Sequence, residues 1–390
     1  MPADLFAAFR HKSLDHTFGE RAVRFDIPSD VFSTFKLDAG SLQLLKAMQQ
    51  AGRRWPNVLD LGCGYGTLLI GLATMDLIDR GLGIERDALA AEYAKRNASA
   101  NGFERIECRG GVAYDDVPER GFDVVVTNLP AKALPGVHDL FLRGCSQLLN
   151  SEGELWAVVV APLVPTIDAL LDHTAIELKS RTPGSQYALY RCGFHEPIPW
   201  PEHPYLRQDF YASHDDVDYD LHCLDGVDDF DSLWHGTDLL LRLLPKKRWP
   251  MERVAIWEPT QGHLPAIVSK LWPELSCVQL ASRDRLSLVA SRDNLRRNGF
   301  AGDIELSHGV GFAGPTPDVA LVQLQGREET DLHAARLLAA RELWPGVAIA
   351  AAGPAPLLGR VEALLEKRGM KPQDRLNRKG FRAIAFDPIR

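Results

Sequence analysis

Three glycines at alternate positions, Gly62, Gly64 and Gly66, follow an apolar stretch that runs into Asp60. The segment reads V-L-D-L-G-C-G-Y-G-T, and a further apolar run comes directly after it. Glycine lets a backbone turn tightly and pass close to a ligand, because it has no Cβ atom. A strand, a glycine-rich turn and a helix in this order are typical of nucleotide-binding α/β folds. We therefore expect the main chain from Gly62 through Cys63 to Gly64 to lie against a ligand.

Polar residues also end two later apolar stretches. Glu85 ends G-L-G-I-E, and Asn128 ends F-D-V-V-V-T-N, where Leu129 and Pro130 follow it. A carboxylate at the tip of a parallel strand can accept hydrogen bonds from both hydroxyls of a ribose. Because the carboxyl ends of parallel strands share one edge of a sheet, the sequence predicts that Asp60, Glu85 and Asn128 border one site.

The elements that must position these residues alternate along the chain. Apolar patterns predict strands at 58–61, 81–85, 124–127 and 155–160, and helices at 67–75, 88–100 and 137–149. Right-handed crossovers between such strands give a doubly wound, mostly parallel sheet. A hairpin is predicted at 175–193, with Pro183 and Gly184 as its turn.

The second half of the chain repeats the order of elements of the first. Four residues recur at the same spacing: Asn97, Asn101, Gly102 and Phe103 return as Asn294, Asn298, Gly299 and Phe300. A repeat of this period implies two similar domains in tandem, which we place at residues 1–200 and 201–390.

The candidate binding residues are not repeated. Gly66 recurs as Gly262, but the other positions change: Asp60 to Ile256, Gly62 to Glu258, Gly64 to Thr260, Glu85 to Ser282 and Asn128 to Gln323. Side chains at the tight turn would fill the space that a ligand needs. The second copy is therefore predicted to keep the fold and to bind no cofactor.

Composition limits the class of protein. Of the 390 residues, 45% are hydrophobic and 25% are charged, which is typical of a globular chain. Six cysteines without a C-x-x-C pair favour a reducing compartment and argue against a zinc site. No signal peptide or membrane span is recognisable, so we expect a soluble cytoplasmic protein with no membrane partner.

The charge pattern bears on possible partners. A net charge of −8 counts against a nucleic-acid binder, but basic residues cluster ahead of the glycine loop: Arg10, His11, Lys12, Arg21 and Arg24. An acidic run begins at His214, in which aspartates alternate as in a calcium loop. Leu221 and Val227 stand where that loop requires glycine and glutamate. We interpret the run as a solvated linker and predict no metal site.

The glycine loop, Glu85 and the Asn128-Leu129-Pro130 segment together resemble the class I S-adenosylmethionine-dependent methyltransferases. An ordinary dinucleotide-binding domain would show G-x-G-x-x-G with a helix from its third glycine, and no Asn-x-Pro after the fourth strand. The resemblance implies an α/β fold of two tandem Rossmann-like methyltransferase domains, the second degenerate. It also implies S-adenosylmethionine as the cofactor.

A narrower resemblance rests on the segments around the loop. Phe32-Ser33, Leu37-Asp38 and Gly40-Ser41, followed by D-L-G-C-G-Y-G and N-L-P-A, resemble the bacterial guanine-N2 methyltransferases that modify the RNA of the small or the large ribosomal subunit. Those enzymes also have two tandem domains, one of them degenerate. This chain departs from them by carrying the intact copy first, and by having Ala131 where their Asn-Pro-Pro-Phe motif has an aromatic residue.

The resemblance implies roles for the cofactor-binding residues. Asp60 would lie near the methionine end, the main chain of Gly62, Cys63, Gly64 and Gly66 along the cofactor, and Glu85 at the ribose. Asp38 and Gly40 would close over the cofactor, although Asp38 could equally be a helix N-cap. Adenine would contact the backbone of Gly110-Gly111, or Arg109.

The resemblance also implies a catalytic segment. The Asn128 side-chain oxygen and the Leu129 carbonyl would accept the hydrogens of a substrate amine, and Pro130 would shape the segment. Ala131 cannot stack on a base, so Phe32, Phe35 or another aromatic residue would have to do so. Our leading hypothesis is N-methylation of a guanine in ribosomal RNA, with RNA as the partner. The alternatives are methylation of a protein amide or small molecule, and a non-catalytic cofactor-binding protein.

Overall fold

The computed structural model describes residues 5–114, 116–325 and 328–388. These fold as two units: residues 10–205, and residues from 206 onward together with the start of the chain. The predicted division at 200 and 201 differs from these units at the N terminus. There, helix α1 (Leu5–Ala8) and the buried Phe9 belong to the second unit, where the Arg283 guanidinium lies 5.4 Å from the centre of the Phe9 ring.

The first unit begins with an antiparallel hairpin that was not predicted, and continues with a seven-stranded sheet and its helices. Its strands are β1 (Arg10–Phe18), β2 (Arg21–Pro28), β3 (Trp55–Leu61), β4 (Ile78–Glu85), β5 (Ile106–Gly110), β6 (Phe122–Asn128), β7 (Leu149–Val160), β8 (Ile176–Thr182) and β9 (Tyr187–Phe194). Its helices are α2 (Ala39–Gln50), α3 (Thr67–Thr74), α4 (Ala88–Ala100), α5 (Pro135–Leu142) and α6 (Val164–Leu171).

The large sheet has the strand order β5-β4-β3-β6-β7-β9-β8. Its strands are parallel from β5 to β7, and the hairpin of β8 and β9 adds an antiparallel edge. The predicted doubly wound sheet and its terminal hairpin are confirmed. Strand β3 lies at the centre, and residues 58–61 are wholly buried. Leu140 of α5 and Ile167 of α6 pack with Leu59 and Val125 on one face of the sheet.

The second unit repeats this architecture. Its strands are β10 (Leu206–His214), β11 (Val217–Leu224), β12 (Arg253–Trp257), β13 (Cys277–Ser282), β14 (Asp303–His308), β15 (Val319–Gln323), β16 (Ala348–Pro354), β17 (Asp374–Arg378) and β18 (Phe381–Phe386). Its remaining helices are α7 (His235–Leu243), α8 (His263–Leu271), α9 (Arg285–Arg297), α10 (Thr330–Leu343) and α11 (Ala355–Lys367). The sheet order β14-β13-β12-β15-β16-β18-β17 matches that of the first unit, which confirms the tandem fold.

The interpretation of the acidic run as a solvated linker was wrong. The first part of the run forms β11 and the end of β10, which pair as an antiparallel hairpin, and its last residues, 225–231, lie between β11 and α7. Tyr219, Leu221 and Cys223 alternate with the polar residues of β11 and are buried in the core of the second unit. The aspartates occupy the other face of a half-buried strand, which is the ordinary pattern of such a hairpin.

Among the described residues, no helix is both long enough and apolar enough to cross a membrane.

Candidate active site

The predicted site residues come together at the carboxyl edge of the first sheet. Leu61 of β3 pairs with Ile84 of β4 on one side and with Thr127 of β6 on the other. The residues that follow Ile84 and Thr127 are Glu85 and Asn128, each the last residue of its strand. The two side chains therefore flank the start of the glycine loop, as the sequence predicts.

All three glycines of the loop have left-handed backbone angles. The φ angle is 73° at Gly62, 55° at Gly64 and 96° at Gly66, a region that other residues rarely enter. A Cβ atom added at Gly62 or Gly64 would meet nothing within 4 Å, so both face open space. A Cβ atom at Gly66 would lie 3.4 Å from Ala94 of α4. The first two glycines thus leave room for a ligand, while the third allows close packing of the helices.

The Glu85 carboxylate ties the loop to the end of β4. It accepts hydrogen bonds from the backbone N–H of Gly64 and from that of Asp87, each at 3.0 Å. Burial raises the pKa of Glu85, and the two N–H groups oppose that rise. A carboxylate has about four acceptor positions, so Glu85 can still accept bonds from two ligand hydroxyls.

The N–H groups of the loop are already used within the protein. Those of Gly62 and Cys63 donate to the carbonyl of Ile84, at 2.9 and 3.2 Å, and that of Gly64 donates to Glu85. A ligand along the loop would therefore contact its exposed glycine surface rather than these donors.

The Asp60 carboxyl group is a buried acid with no hydrogen-bond partner for either oxygen among the described residues. Burial raises its pKa well above the ordinary value, and the nearby charge of Glu85 raises it further. Such a group is stabilised by a hydrogen-bond donor or a positive charge. A positively charged ligand bound over the loop would supply that charge.

Asn128 is held at the site by residues at the start of α2. Its Nδ2 donates to Asp38 Oδ1 at 2.7 Å and to Ser41 Oγ at 3.0 Å. Asp38 also accepts from the Ser41 N–H at 2.8 Å, which confirms the prediction that it caps this helix. Because a carboxylate only accepts hydrogen bonds, the amide nitrogen must face Asp38. The hydrogen bonds of this amide nitrogen therefore fix the orientation of the Asn128 side chain.

The two residues after Asn128 are fixed to the scaffold. The Leu129 N–H donates to the Val158 carbonyl at 3.0 Å, and the Pro130 carbonyl lies 2.9 Å from His138 Nε2 of α5. A carbonyl can only accept, so Nε2 carries the hydrogen in this contact. The polypeptide on both sides of the Leu129 carbonyl is thereby held in one orientation.

Three residues at the site were not predicted. Ser41 binds Asn128, His138 binds Pro130, and the ring of Tyr187 lies where a Cβ atom on Gly40 would come within 3.1 Å of it. Gly40 therefore allows a close approach between α2 and β9. Of these three residues, only Ser41 could have been found from the sequence, because it belongs to the Gly40-Ser41 segment of the family resemblance.

The candidate adenine contacts are partly occupied. Arg109 forms ion pairs with Glu107 at 2.6 Å and with Glu119 at 2.7 Å, and its guanidinium is thus already paired. The Gly111 N–H donates to the Glu85 carbonyl at 2.9 Å. The described residues contain no group of three or more side chains suited to holding a metal ion.

Residues 22–190 match the family model of the methyltransferase small domain, and this range covers the loop, all three strand ends and Asp38. The first unit is a class I methyltransferase. Its cofactor is S-adenosylmethionine, whose positive charge suits the unpartnered Asp60 and whose ribose suits Glu85.

Curated relatives of the methyltransferase unit act on different substrates. The chain is 33% identical over 153 residues to ribosomal RNA small subunit methyltransferase C of Actinobacillus pleuropneumoniae, covering 37% of this chain and 44% of that protein. It is 36% identical over 124 residues to ribosomal protein L11 methyltransferase of Thermosipho africanus, covering 32% and 45%. The chain thus spans less than half the length of either relative, and identity alone does not separate an RNA substrate from a protein substrate.

A solved structure resembles the methyltransferase over both units. It is the 16S rRNA N2 G1207 methyltransferase of Thermus thermophilus, in complex with AdoMet and guanosine. The TM-score is 0.66 at 17% identity, and the match covers 98% of this chain and 99% of that one. The likeness shows that the tandem architecture is shared.

Proposed function

We propose that this methyltransferase methylates an exocyclic amine, that of a guanine in ribosomal RNA. The observation that carries the proposal is the orientation of Asn128. Its amide nitrogen is held by Asp38 and Ser41, so its oxygen would be the atom that accepts a hydrogen bond from a substrate. The tandem fold shared with an rRNA guanine methyltransferase supports the choice of base and of RNA.

The cofactor would be held by the residues predicted from the sequence. Glu85 would accept the ribose hydroxyls, Asp60 would lie near the methionine end, and the loop from Gly62 through Cys63 and Gly64 to Gly66 would provide the floor. Asp38, Gly40 and Asn128 would form the opposite wall. When bound, S-adenosylmethionine supplies an electrophilic methyl group.

The protein's own contribution would be to orient the amine. The Asn128 oxygen and the Leu129 carbonyl would each accept one hydrogen of the NH₂ group, which turns the nitrogen lone pair toward the methyl carbon. Holding two reactants in this geometry can contribute several kcal/mol, since the entropy of alignment is lost before the reaction. Pro130 and His138 would keep the Leu129 carbonyl in place.

Replacing Asn128 with alanine tests the proposal. We expect Asn128→Ala to reduce methyl transfer at least about 100-fold, as typical for the loss of a well-placed transition-state contact. Affinity for S-adenosylmethionine, measured by calorimetry, should fall much less than methyl transfer, because Asp60, Glu85 and the glycine loop would still hold the cofactor. Asn150→Ala is the matched control, because Asn150 binds Asp123 away from the site. Equal activity of Asn128→Ala and the wild type would contradict the assigned role.

Labelled cofactor would identify the substrate class. The wild type is offered naked ribosomal RNA, assembled ribosomal subunits and a protein extract, and label is expected in RNA. Digestion to nucleosides should then yield N2-methylguanosine. Label in protein alone would favour the alternative of a protein amide, which Ala131 and the L11 methyltransferase relative support.

A further inference from the structure

Two phenylalanines are exposed on the segment between β2 and α2. Phe32 and Phe35 each have 76% of their surface exposed. Only six large hydrophobic side chains are exposed among the residues that the structure describes, and two of them lie on this short segment. Apolar rings in water are unfavourable unless a partner covers them, so this pair is a candidate interaction surface.

The segment is anchored to the active site at two points. The Tyr65 hydroxyl, from the glycine loop, donates to the Ser33 carbonyl at 3.2 Å. Asp38, at the end of the segment, binds Asn128. Between these points Ser33 has a left-handed φ of 63°, and its hydroxyl donates to the Lys36 carbonyl at 2.7 Å. The rings are therefore presented by a defined turn next to the site.

Basic side chains surround one of the two rings. Lys12 Nζ lies 5.3 Å from the centre of the Phe35 ring and donates to the Phe35 carbonyl. The His11 ring stands edge-on to Phe35, with 6.0 Å between the ring centres. The pairing of β1 with β2 is irregular between Arg10 and Lys12, and such bulges commonly redirect a side chain.

Lys12 gives this surface a positive charge that no carboxylate of the described residues neutralises. Arg10 is paired with Asp26, but in the described part of the chain Lys12 forms no ion pair. A protein-binding surface of two phenylalanines would gain little from an unpaired lysine over one ring. A single-stranded nucleic acid matches both features, because every base has a face that stacks and every linkage has a negative phosphate.

We propose that Phe32, Phe35, His11 and Lys12 form a binding surface for single-stranded RNA beside the methylated nucleotide. This inference rests on the proposed function and deepens it. Bases that flank the target would stack on the two phenylalanines, while Lys12 meets a phosphate.

The test measures RNA binding separately from methyl transfer. Fluorescence anisotropy is recorded with a labelled single-stranded oligoribonucleotide that contains guanine. Loss of a stacked base costs about 1–3 kcal/mol, so Phe35→Ala should weaken binding roughly 5- to 150-fold. Phe35→Trp should preserve binding, and Lys12→Gln should reduce the slope of log affinity against log salt by about 1.

The matched control is Leu178→Ala, which removes an exposed apolar side chain from edge strand β8 of the same unit. RNA binding by this variant should equal that of the wild type. Calorimetry with S-adenosylmethionine, which should show unchanged affinity for every variant, confirms that each has folded.

Three outcomes would overturn the proposal. They are absence of RNA binding by the wild type, unchanged binding by Phe35→Ala, and full binding by Phe35→Leu. The last would show that apolar contact rather than stacking matters, as for a protein partner. Methyl transfer to RNA by the wild type decides the proposed function independently. If transfer occurs while Phe35→Ala binds normally, only the surface is refuted; if binding follows the prediction without transfer, only the reaction is refuted.

Discussion

The glycine loop of the methyltransferase unit and the corresponding turn of the second unit have nearly the same backbone. The φ angles of 73°, 55° and 96° in the first become 53° at Glu258, 52° at Thr260 and 96° at Gly262. A non-glycine residue in this region costs about 1 kcal/mol or more, and a β-branched threonine is especially unusual there. The turn therefore persists without a glycine at two positions. What glycine adds in the first unit is open space.

The second unit fills the corresponding space with polar side chains. The half-buried Glu258 accepts a hydrogen bond from Ser282 Oγ at 2.9 Å, and Ser282 in turn accepts from the Asp284 N–H at 2.9 Å. Ser282 therefore accepts the hydrogen bond from Asp284 that Glu85 accepts from Asp87 in the first unit. The carboxylate of the second unit belongs instead to Glu258, which lies within the turn. An amide at the end of the strand also persists, but it is oriented differently. Gln323 Oε1 accepts from the Thr237 hydroxyl, whereas Asn128 Nδ2 donates to Ser41 Oγ.

The comparison separates the scaffold from the site. Both units keep the hydrogen bonds that join the strand ends to the next turn or helix. Only the methyltransferase unit has the three carboxylates Asp60, Glu85 and Asp38 beside an open loop. The residue that corresponds to Asp38 in the second unit is Trp234, at the start of α7, and its side chain does not cap that helix.

The largest effect is expected when a residue of the second unit is placed at the corresponding position of the first. Gly62→Glu should abolish binding of S-adenosylmethionine, with at least a 1,000-fold loss that corresponds to about 4 kcal/mol. The new side chain would occupy the open space and place a charge near Glu85. Calorimetry measures the loss. The control is Gly102→Glu, since Gly102 has a φ of 78° and equally open surroundings but lies after α4. Retained affinity in Gly62→Glu would refute this account of the loop.

The second prediction concerns the pH dependence of the second unit. Burial, followed by the charge of Glu328, raises the pKa of Glu258 to about 7, against about 4.3 in an unfolded chain. Protonation of Glu258 therefore contributes fully to the free energy of unfolding below about pH 4. This contribution, about 3 kcal/mol, is lost as the pH rises through 7. Glu258→Gln should remove this dependence and stabilise the unit at pH 8. Hydrogen exchange in β12 and β13 at pH 5 and 8 measures it.

The exposed Glu252 provides the control for that experiment, because Glu252→Gln changes the same functional group outside the core. The proposed burial effect would be disproved if wild-type exchange in these strands, corrected for the intrinsic exchange rate at each pH, showed equal protection at both pH values.

A smaller effect is expected at Asp60. Its raised pKa means that the folded protein without cofactor loses stability as the pH rises above about 4. Asp60→Asn should remove that loss and raise the free energy of unfolding at pH 7 by about 1–2 kcal/mol, while weakening binding of S-adenosylmethionine. Thermal unfolding with and without cofactor measures both changes. The exposed Asp172 offers a control in Asp172→Asn, and a less stable Asp60→Asn protein at pH 7 would contradict the prediction.

The smallest effect separates the two roles of Asp38. Asp38→Ala should cost about 1 kcal/mol of stability through loss of the N-cap. Asp38→Ser should recover that stability, since serine also caps helices, but should not recover methyl transfer, because Asn128 loses its carboxylate partner. Chemical denaturation and labelled-methyl assays give the two readouts. Full transfer by Asp38→Ser would show that Asn128 needs no such partner.

The sequence predicted the parts of the fold that local pattern determines. Residues 58–61 of β3 and the loop after them were evident, because a parallel strand buried on both faces is mostly apolar and the glycines mark the turn. The strand ends of β4 and β6 followed from the shared edge of a parallel sheet.

The remainder depended on contacts between distant residues or on mixed patterns. Asp38 and Asn128 are 90 residues apart, and no local feature connects them. Hairpin β10–β11 was misread because its aspartates dominate the composition, although Tyr219 and Leu221 alternate with them. The short strand β5 was missed because its alternate residues are polar.

The packing of Phe9 within the second unit has a consequence for biosynthesis. Residues 5–9 leave the ribosome before residues 10–205, but Arg283 and helix α10, against which Phe9 and α1 pack, are made some 270 to 330 residues later. Translation proceeds at about 5–20 residues per second. Roughly 15–60 s therefore pass between the synthesis of residues 5–9 and that of the residues against which they pack. Residues 10–205 can fold during that interval, whereas the second unit is complete only after its later residues have been made. A gene fragment that encodes only the second half would produce a domain without its first helix.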